Sequence, residues 1–297
     1  GGFTSFITTN SIKDGTIRED GLEQVLAQGG HINMAVRGVK WPGRANLVVS
    51  LVSLHKGKWR GKCLLDGHEA DTINGYFEDS VDGGAPKPLT ESAGKVFQGT
   101  IPLGEGFICS PEEASWLVKS HNRNTEVVFP VAKGEDFNSE PEQMPTRFII
   151  NFGERTEDEA REYSIPFQLV EDRVRPARDA QKNETAKRTW WRYYRYNEEC
   201  YRSIHPLPHC FVAAATTKYL NFSAAPTNYV FLNTLYVLTS NRWDLYSVVQ
   251  STLHEVWARK YSGALETRLR YSPTDCFETF GFPDGLWETA NLSLATI

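Results

Sequence analysis

The run from Asn46 to His55, NLVVSLVSLH, constrains the fold more than any other segment, because it is almost continuously apolar and rich in β-branched residues. Branching at Cβ stiffens χ1 and favours extended backbone. A strand that is apolar at successive positions, and not only at alternate ones, has to be covered on both faces. The expectation is a strand inside an α/β sheet. The flanking segments agree with it: alternating large residues predict a strand over Phe3–Thr9, and a Gly/Asp turn leads to a helix near Arg18–Gln28 and a strand over Ile32–Val36. Residues 1 to 65 therefore read as the closing half of an open α/β domain. Gly1-Gly2 runs into the first strand with no preceding turn or cap, which predicts a piece excised from a larger protein.

From residue 66 to 96 the chain turns polar and rich in Gly, Pro and Asp, the composition of a linker. A second, mixed domain is expected from near Phe97. Ser110-Pro111-Glu112-Glu113 carries an N-cap serine, a proline at the first helical position and a glutamate three residues on, so a helix should start at Pro111 and run to about Lys119. Phe148–Phe152 reads as a strand and Glu157–Tyr163 as a short helix. Pro166 to about Arg195 reads as one long helix with Pro176 near an early turn or kink. From Cys210 to Leu238 the pattern is strand-like, in two runs separated by a turn at Pro226. Val248, Val249, Leu253, Val256 and Trp257 have helical spacing over Tyr246–Tyr261.

Charge is distributed unevenly. The 297 residues carry a net charge of −5, yet Arg173 to Arg195 holds eight Lys/Arg against only Asp179 and Glu184. Cations interleaved with aromatic rings are what a polyanion surface needs, since the cations displace counterions from phosphates and flat rings stack on bases. A solvated helix, or a basic aromatic face docking an acidic partner subunit, would have the same composition. The acidic total excludes a protein that binds polyanions over its whole surface. No apolar run reaches about 18 residues and no signal-like N-terminus is present, so the expectation is a cytoplasmic protein without a membrane span. Cys63, Cys109, Cys200, Cys210 and Cys276 are scattered without a CxxC pair, and the histidines form no ligand set, so neither disulfides nor a metal site is expected. His254-Glu255 should pack or cap. Gly104-Glu105-Gly106 lacks the third glycine and the helix of a nucleotide loop and reads as a turn. No catalytic constellation is found in the sequence.

Several long segments stand in a distinctive order: FITTNSIKDG (Phe6–Gly15), WPGRANLVVSLVSLHKG (Trp41–Gly57), GEGFICSPEEASWLV (Gly104–Val118), GEDFNSEPEQMPTRFIINFG (Gly134–Gly153), VEDRVRPARD (Val170–Asp179), RTWWRYYR (Arg188–Arg195) and the stretch Ser251–Pro283. In that order the chain resembles the C-terminal half of an MmeI-like (type IIL/IIG) restriction-modification enzyme, in which one polypeptide combines an adenine-N6 DNA methyltransferase with a target recognition domain. The resemblance implies the C-terminal half of a Rossmann-like methyltransferase sheet over 1–65, a linker over 66–96, a mixed α+β target recognition domain over 97–245, and a helical segment from 246 packing on it. It implies S-adenosylmethionine for the intact parent and none for this piece. The Asn-Pro-Pro-Tyr tetrapeptide and the glycine-rich cofactor loop of the family are absent here and are expected upstream, in a missing N-terminal half of the same chain. The expected partner is double-stranded DNA.

Arg173, Arg175, Arg178, Lys187, Arg188 and Arg192 are the expected phosphate contacts, which set register without reading sequence. Thr217, Lys218, Tyr219, Asn221 and Ser223 are the expected base readers, since Lys donates to guanine O6/N7 and Asn pairs with adenine N6/N7. Trp190-Trp191 is a conceivable stacking platform, although neighbouring helical residues diverge by about 100° and one should be core. The resembled group carries Ser-Lys-His where this chain has Thr217-Lys218-Tyr219, so Tyr219 speaks against transferring a target sequence directly.

Overall fold

A computed structural model describes residues 2–45, 47–81, 84–265 and 268–287. In chain order its elements are β1 (Phe3–Thr9), α1 (Gly15–Asp20), α2 (Leu22–Ala27), β2 (Gly30–Lys40), β3 (Val48–Lys56), β4 (Cys63–Leu65), β5 (His68–Ala70), β6 (Val96–Gln98), β7 (Ile108–Cys109), α3 (Pro111–Ser120), β8 (Val128–Ala132), α4 (Gly134–Asn138), β9 (Arg147–Ile150), α5 (Glu157–Arg161), α6 (Ser164–Asp179), α7 (Glu184–Arg188), α8 (Glu198–Ile204), β10 (Cys210–Ala214), β11 (Thr216–Thr217), β12 (Phe222–Ala225), β13 (Val230–Phe231), β14 (Leu235–Leu238), α9 (Trp243–Val249), α10 (Thr252–Tyr261), β15 (Gly263–Leu265) and β16 (Arg268–Arg270). The class is mixed α and β with several separate sheets, as expected. The chain divides into two compact units. One comprises Gly1–Ala93, Thr216–Leu220 and Ser251–Asp284, the other Gly94–Ala215, Asn221–Gln250 and Gly285–Ile297.

The first unit is built on a five-stranded sheet of order β1-β3-β2-β4-β5. β3 pairs antiparallel with both β1 and β2, while β2 and β4 run parallel. Val49, Ser50, Val52, Ser53 and Leu54 are all buried, so consecutive positions of β3 are covered on both faces as its composition demands. Leu22, Ile32, Ala35, Val52, Leu54, Cys63, Ala70, Ile73 and Phe77 form the core. Most of the stretch expected as a linker, up to Ala93, clusters with this unit. Asp66 and Gly67, with φ of 52° and 84°, turn the chain between β4 and β5 as a two-residue hairpin requires, and Ile73, Tyr76 and Phe77 are buried. Composition misreads this stretch because a few buried side chains are enough to anchor it. The second correction concerns 251–284, which cluster with this unit and not with the residues expected to form the recognition domain. A three-stranded sheet of order β11-β16-β15 completes the unit.

The second unit holds two four-stranded sheets, β12-β10-β14-β6 and β13-β8-β9-β7. Around the latter lies its larger core, with Phe107, Leu117, Ile149, Phe152, Phe167, Val170, Trp190 and Tyr193 among its members. The helix at Pro111 starts as predicted: the Ser110 side chain accepts from Glu113 N at 3.2 Å, and Glu113 in return accepts from Ser110 N at 3.1 Å. A second capping box at Thr156 starts α5. The single long helix expected over 166–195 is two helices. α6 ends three residues after Pro176, and Asn183 starts α7 by accepting from Ala186 N at 3.2 Å. The expected helix over 246–261 is likewise broken between α9 and α10, where the Ser251 side chain caps the second.

The five cysteines are buried thiols without disulfides, and burial pushes Cys200, Cys210 and Cys276 up to about 12. His254 is a core residue, 3.0 Å from the Tyr271 hydroxyl. Among the described residues no helix is long and apolar enough to cross a membrane.

Candidate nucleic-acid interface

The basic stretch surrounds one flank of the second unit's core. α6 buries Pro166, Phe167, Val170 and Val174, and its docking depends on a close approach by the turn before α3: a Cβ on Gly106 would lie 2.7 Å from Val174 Cγ2. This explains the Gly104-Glu105-Gly106 turn. Gly104, at φ 119°, adopts a backbone that other residues rarely reach, and a side chain at Gly106 would collide with α6, so both glycines serve the turn and its packing.

Guanidinium groups lie on the rings of this core. Arg175 stands 5.3 Å from the Trp190 centroid, Arg161 4.5 Å from Phe167, and Arg123 and Arg155 5.1 and 5.2 Å from Tyr163. Such contacts fix the planes of long side chains at modest energy. Trp190 and Trp191 are both buried, edge to face, with Trp191 Nε1 donating to the Arg155 carbonyl at 3.1 Å. They support the rim from below and offer no stacking platform. Tyr194, 47% exposed, is the aromatic ring of this stretch that faces water.

Most nominated cations already have partners. Arg173 pairs with Glu113, which raises the guanidinium's pKa and lowers that of the carboxyl through their hydrogen bond. Arg175 Nη1 donates to Glu171 at 2.6 Å, Lys187 to Glu184 at 2.8 Å, and Arg192 pairs with Glu154 and donates from Nε to the Gly153 carbonyl at 3.2 Å. Arg178 requires a correction. It is 1% exposed and donates to the carbonyls of Pro102 at 2.6 Å and Arg192 at 3.3 Å, and burial lowers its pKa. It is a structural clamp inside the unit and cannot reach a phosphate. Arg188 is exposed, and among the described residues no carboxylate holds it. Lys182 and Arg195 are also exposed, the latter with its backbone pinned to Ile101 at 2.8 and 3.1 Å. The exposure of Lys182 and Tyr194 was not foreseen, although the pairing of aromatics with arginines in RTWWRYYR was an available signal for Tyr194.

The nominated base readers are split between the two units. Thr217, Lys218 and Tyr219 belong to the first, Asn221 and Ser223 to the second. Two of them are corrected. Thr217 is buried with its hydroxyl on the Tyr219 carbonyl at 2.7 Å, and Ser223 is buried in β12, where it receives Asn221 Nδ2 at 2.9 Å. Alternation along a strand sends every second side chain inward. Lys218, Tyr219 and Asn221 are exposed, with Lys218 Nζ 5.0 Å over the Tyr219 ring.

The family described as "MmeI, target recognition domain" matches residues 85–284. Among curated proteins, DNA methyltransferase A of Bacillus subtilis (strain 168) is 24% identical over 310 aligned positions that cover 94% of this chain and 32% of that protein. Among solved structures, the type IIL restriction-modification enzyme MmeI in complex with DNA superposes with a TM-score of 0.77 at 18% identity, over 96% of this chain and 40% of that one. The chain thus spans about a third of the curated relative and two fifths of the solved chain.

Proposed function

Because this chain belongs to the MmeI target recognition domain family, we propose that it is the sequence-specific DNA recognition module of a site-specific adenine-N6 DNA methyltransferase from a restriction-modification or other phage-defence system. The observation that carries the reading is that the family match encloses the whole basic stretch, in which Lys182, Arg188 and Arg195 are exposed and Arg175 lies over the Trp190 ring. The rim supplies the sequence-independent part of binding. Arg188 neutralises a phosphate directly, whereas Arg173, Arg175, Lys187 and Arg192 exchange a carboxylate for a phosphate. That exchange costs little, because partly exposed ion pairs contribute only about 0–1 kcal/mol. Counterions released from the duplex drive the association. Lys218, Tyr219 and Asn221 read base edges, with Lys suited to guanine and Asn to adenine. Extrusion of the target base and methyl transfer from S-adenosylmethionine belong, in this reading, to parts of the full-length protein outside this sequence.

Duplex binding followed by fluorescence anisotropy over a salt series tests the proposal. Affinity should fall steeply with salt, and Arg188→Ala should flatten the dependence by about 0.9 in log–log slope, the value for one phosphate contact. An affinity that ignores salt refutes the reading.

A further inference from the structure

Residues 189–197, between α7 and α8, belong to no helix and to none of the sheets, yet they carry the exposed Tyr194 and Arg195. Their conformation is set from below. Tyr193 is drawn into the core, edge to face with Phe107 at 5.1 Å and with its hydroxyl donating to the Ile150 carbonyl at 2.8 Å. Two residues on, Arg195 and Ile101 exchange backbone bonds at 2.8 and 3.1 Å, and Thr100 Oγ1 donates to the Arg195 carbonyl at 2.5 Å. Arg178, in the last turn of α6, closes the arrangement. One nitrogen, Nη2, donates to the carbonyls of Pro102 at 2.6 Å and Arg192 at 3.3 Å, so it ties both sides of this single bridge to the helix.

The bonding of Arg178 tells what the side chain is for. Among the described residues no carboxylate is bonded to it, and its Nε and Nη1 are buried without a hydrogen bond. Burial lowers its pKa with no opposing charge. A cation buried without a counterion is costly, so the contribution of Arg178 rests on the two carbonyls it holds. Leu103, directly after Pro102, takes φ 62°, a region that a residue with a Cβ seldom occupies unless its surroundings hold it there. An irregular segment that is fixed beforehand gives up less conformational freedom when a ligand engages it.

We infer that Arg178 is a positioning residue for duplex binding: through the carbonyls of Pro102 and Arg192 it fixes the segment that presents Arg195 to a phosphate, without touching DNA itself. The inference rests on the proposed DNA-recognition function and deepens it, because it gives a buried arginine an effect on affinity that runs through an exposed one. Among the described residues no carboxylate holds the Arg195 guanidinium, which leaves it available to the phosphate.

The test measures binding of the full-length protein to a DNA duplex over a salt series, for the wild type, Arg195→Gln, Arg178→Met, Arg178→Lys and the double variant Arg178→Met/Arg195→Gln, at a temperature where thermal unfolding shows each to be folded. Arg195→Gln should flatten the log–log slope by about 0.9, the value for one phosphate contact. Arg178→Met fills similar space without donors and should flatten the slope towards the same value, although it removes no surface charge. The double variant should match Arg195→Gln, since both changes act on one contact. Arg178→Lys, whose ammonium still donates to the carbonyls, should keep the wild-type slope. A wild-type slope in Arg178→Met, or a double variant flatter than Arg195→Gln, would overturn the positioning role, because a side chain that only stabilises the fold lowers the unfolding midpoint and leaves the slope of the folded molecule alone. Should Arg178→Met not fold, Thr100→Val decides: it removes the bond to the Arg195 carbonyl with little change of shape and should flatten the slope, and an unchanged slope would sink the proposal. Arg195→Gln without effect, with Arg188→Ala still flattening the dependence, would end the positioning role and leave the DNA-recognition reading standing. A wild type without salt-dependent binding would remove both.

Discussion

Arginines in the basic stretch serve two physical purposes, and burial tells them apart. Arg178 is enclosed and satisfies two backbone carbonyls, so Arg178→Ala removes those bonds and opens a cavity. Its expected effect is a loss of about 2–4 kcal/mol in stability, read as a shifted denaturation midpoint. Arg188→Ala, at an exposed position, should leave the midpoint within about 0.5 kcal/mol and act on DNA binding alone. If Arg178→Ala unfolded at the wild-type midpoint, the structural role assigned to it would be wrong. His254 makes a further residue-level prediction. Burial lowers its pKa to about 4, against about 6.5 in an unfolded chain. Between those values the unfolded chain takes up a proton that the folded core excludes, so stability falls as pH drops from about 6.5 to about 4 and is flat below. The loss is about 3 kcal/mol. Urea unfolding at neutral and mildly acidic pH checks it, and His254→Gln should remove this component of the acid sensitivity.

At the level of elements, what was legible in the sequence was what local rules decide. The capping boxes at Ser110 and Thr156 depend on residues three apart, and the covered strand β3 declares itself by consecutive apolar positions. Ser110→Ala should cost about 1 kcal/mol through loss of the cap. The break between α6 and α7 was not legible, because it follows from Asn183 capping a new helix and from Trp190 and Trp191 both being drawn into the core. Nor were the counterions, since Glu113 lies 60 residues from Arg173. Two of the five nominated base readers, Thr217 and Ser223, are buried for a simpler reason: which parity of a short strand faces inward depends on its partner strand. Gly106 connects these elements. Gly106→Ala places a methyl group against Val174 and should destabilise the α6 docking by about 1–3 kcal/mol. Equal stability of the variant and wild type in guanidinium titrations would contradict that packing.

Taken as a whole, the molecule is acidic, with a net charge of −5, and the stretch from Arg173 to Arg195 is a local cationic exception. If the chain grips DNA as proposed, repulsion between an acidic protein and a polyanion has to be overcome locally, and affinity should fall steeply with salt. Domain organisation was the least legible feature at this scale. The first unit takes segments from three parts of the chain, and only spatial clustering reveals that 216–220 and 251–284 belong with the N-terminal residues. The most direct test of the account is the salt dependence of duplex binding for the wild type beside Arg188→Ala. A steep negative log–log slope that becomes shallower by about 0.9 in the variant is the result expected for a phosphate-gripping recognition module. Identical slopes, or no binding to duplex DNA at low salt, would contradict it.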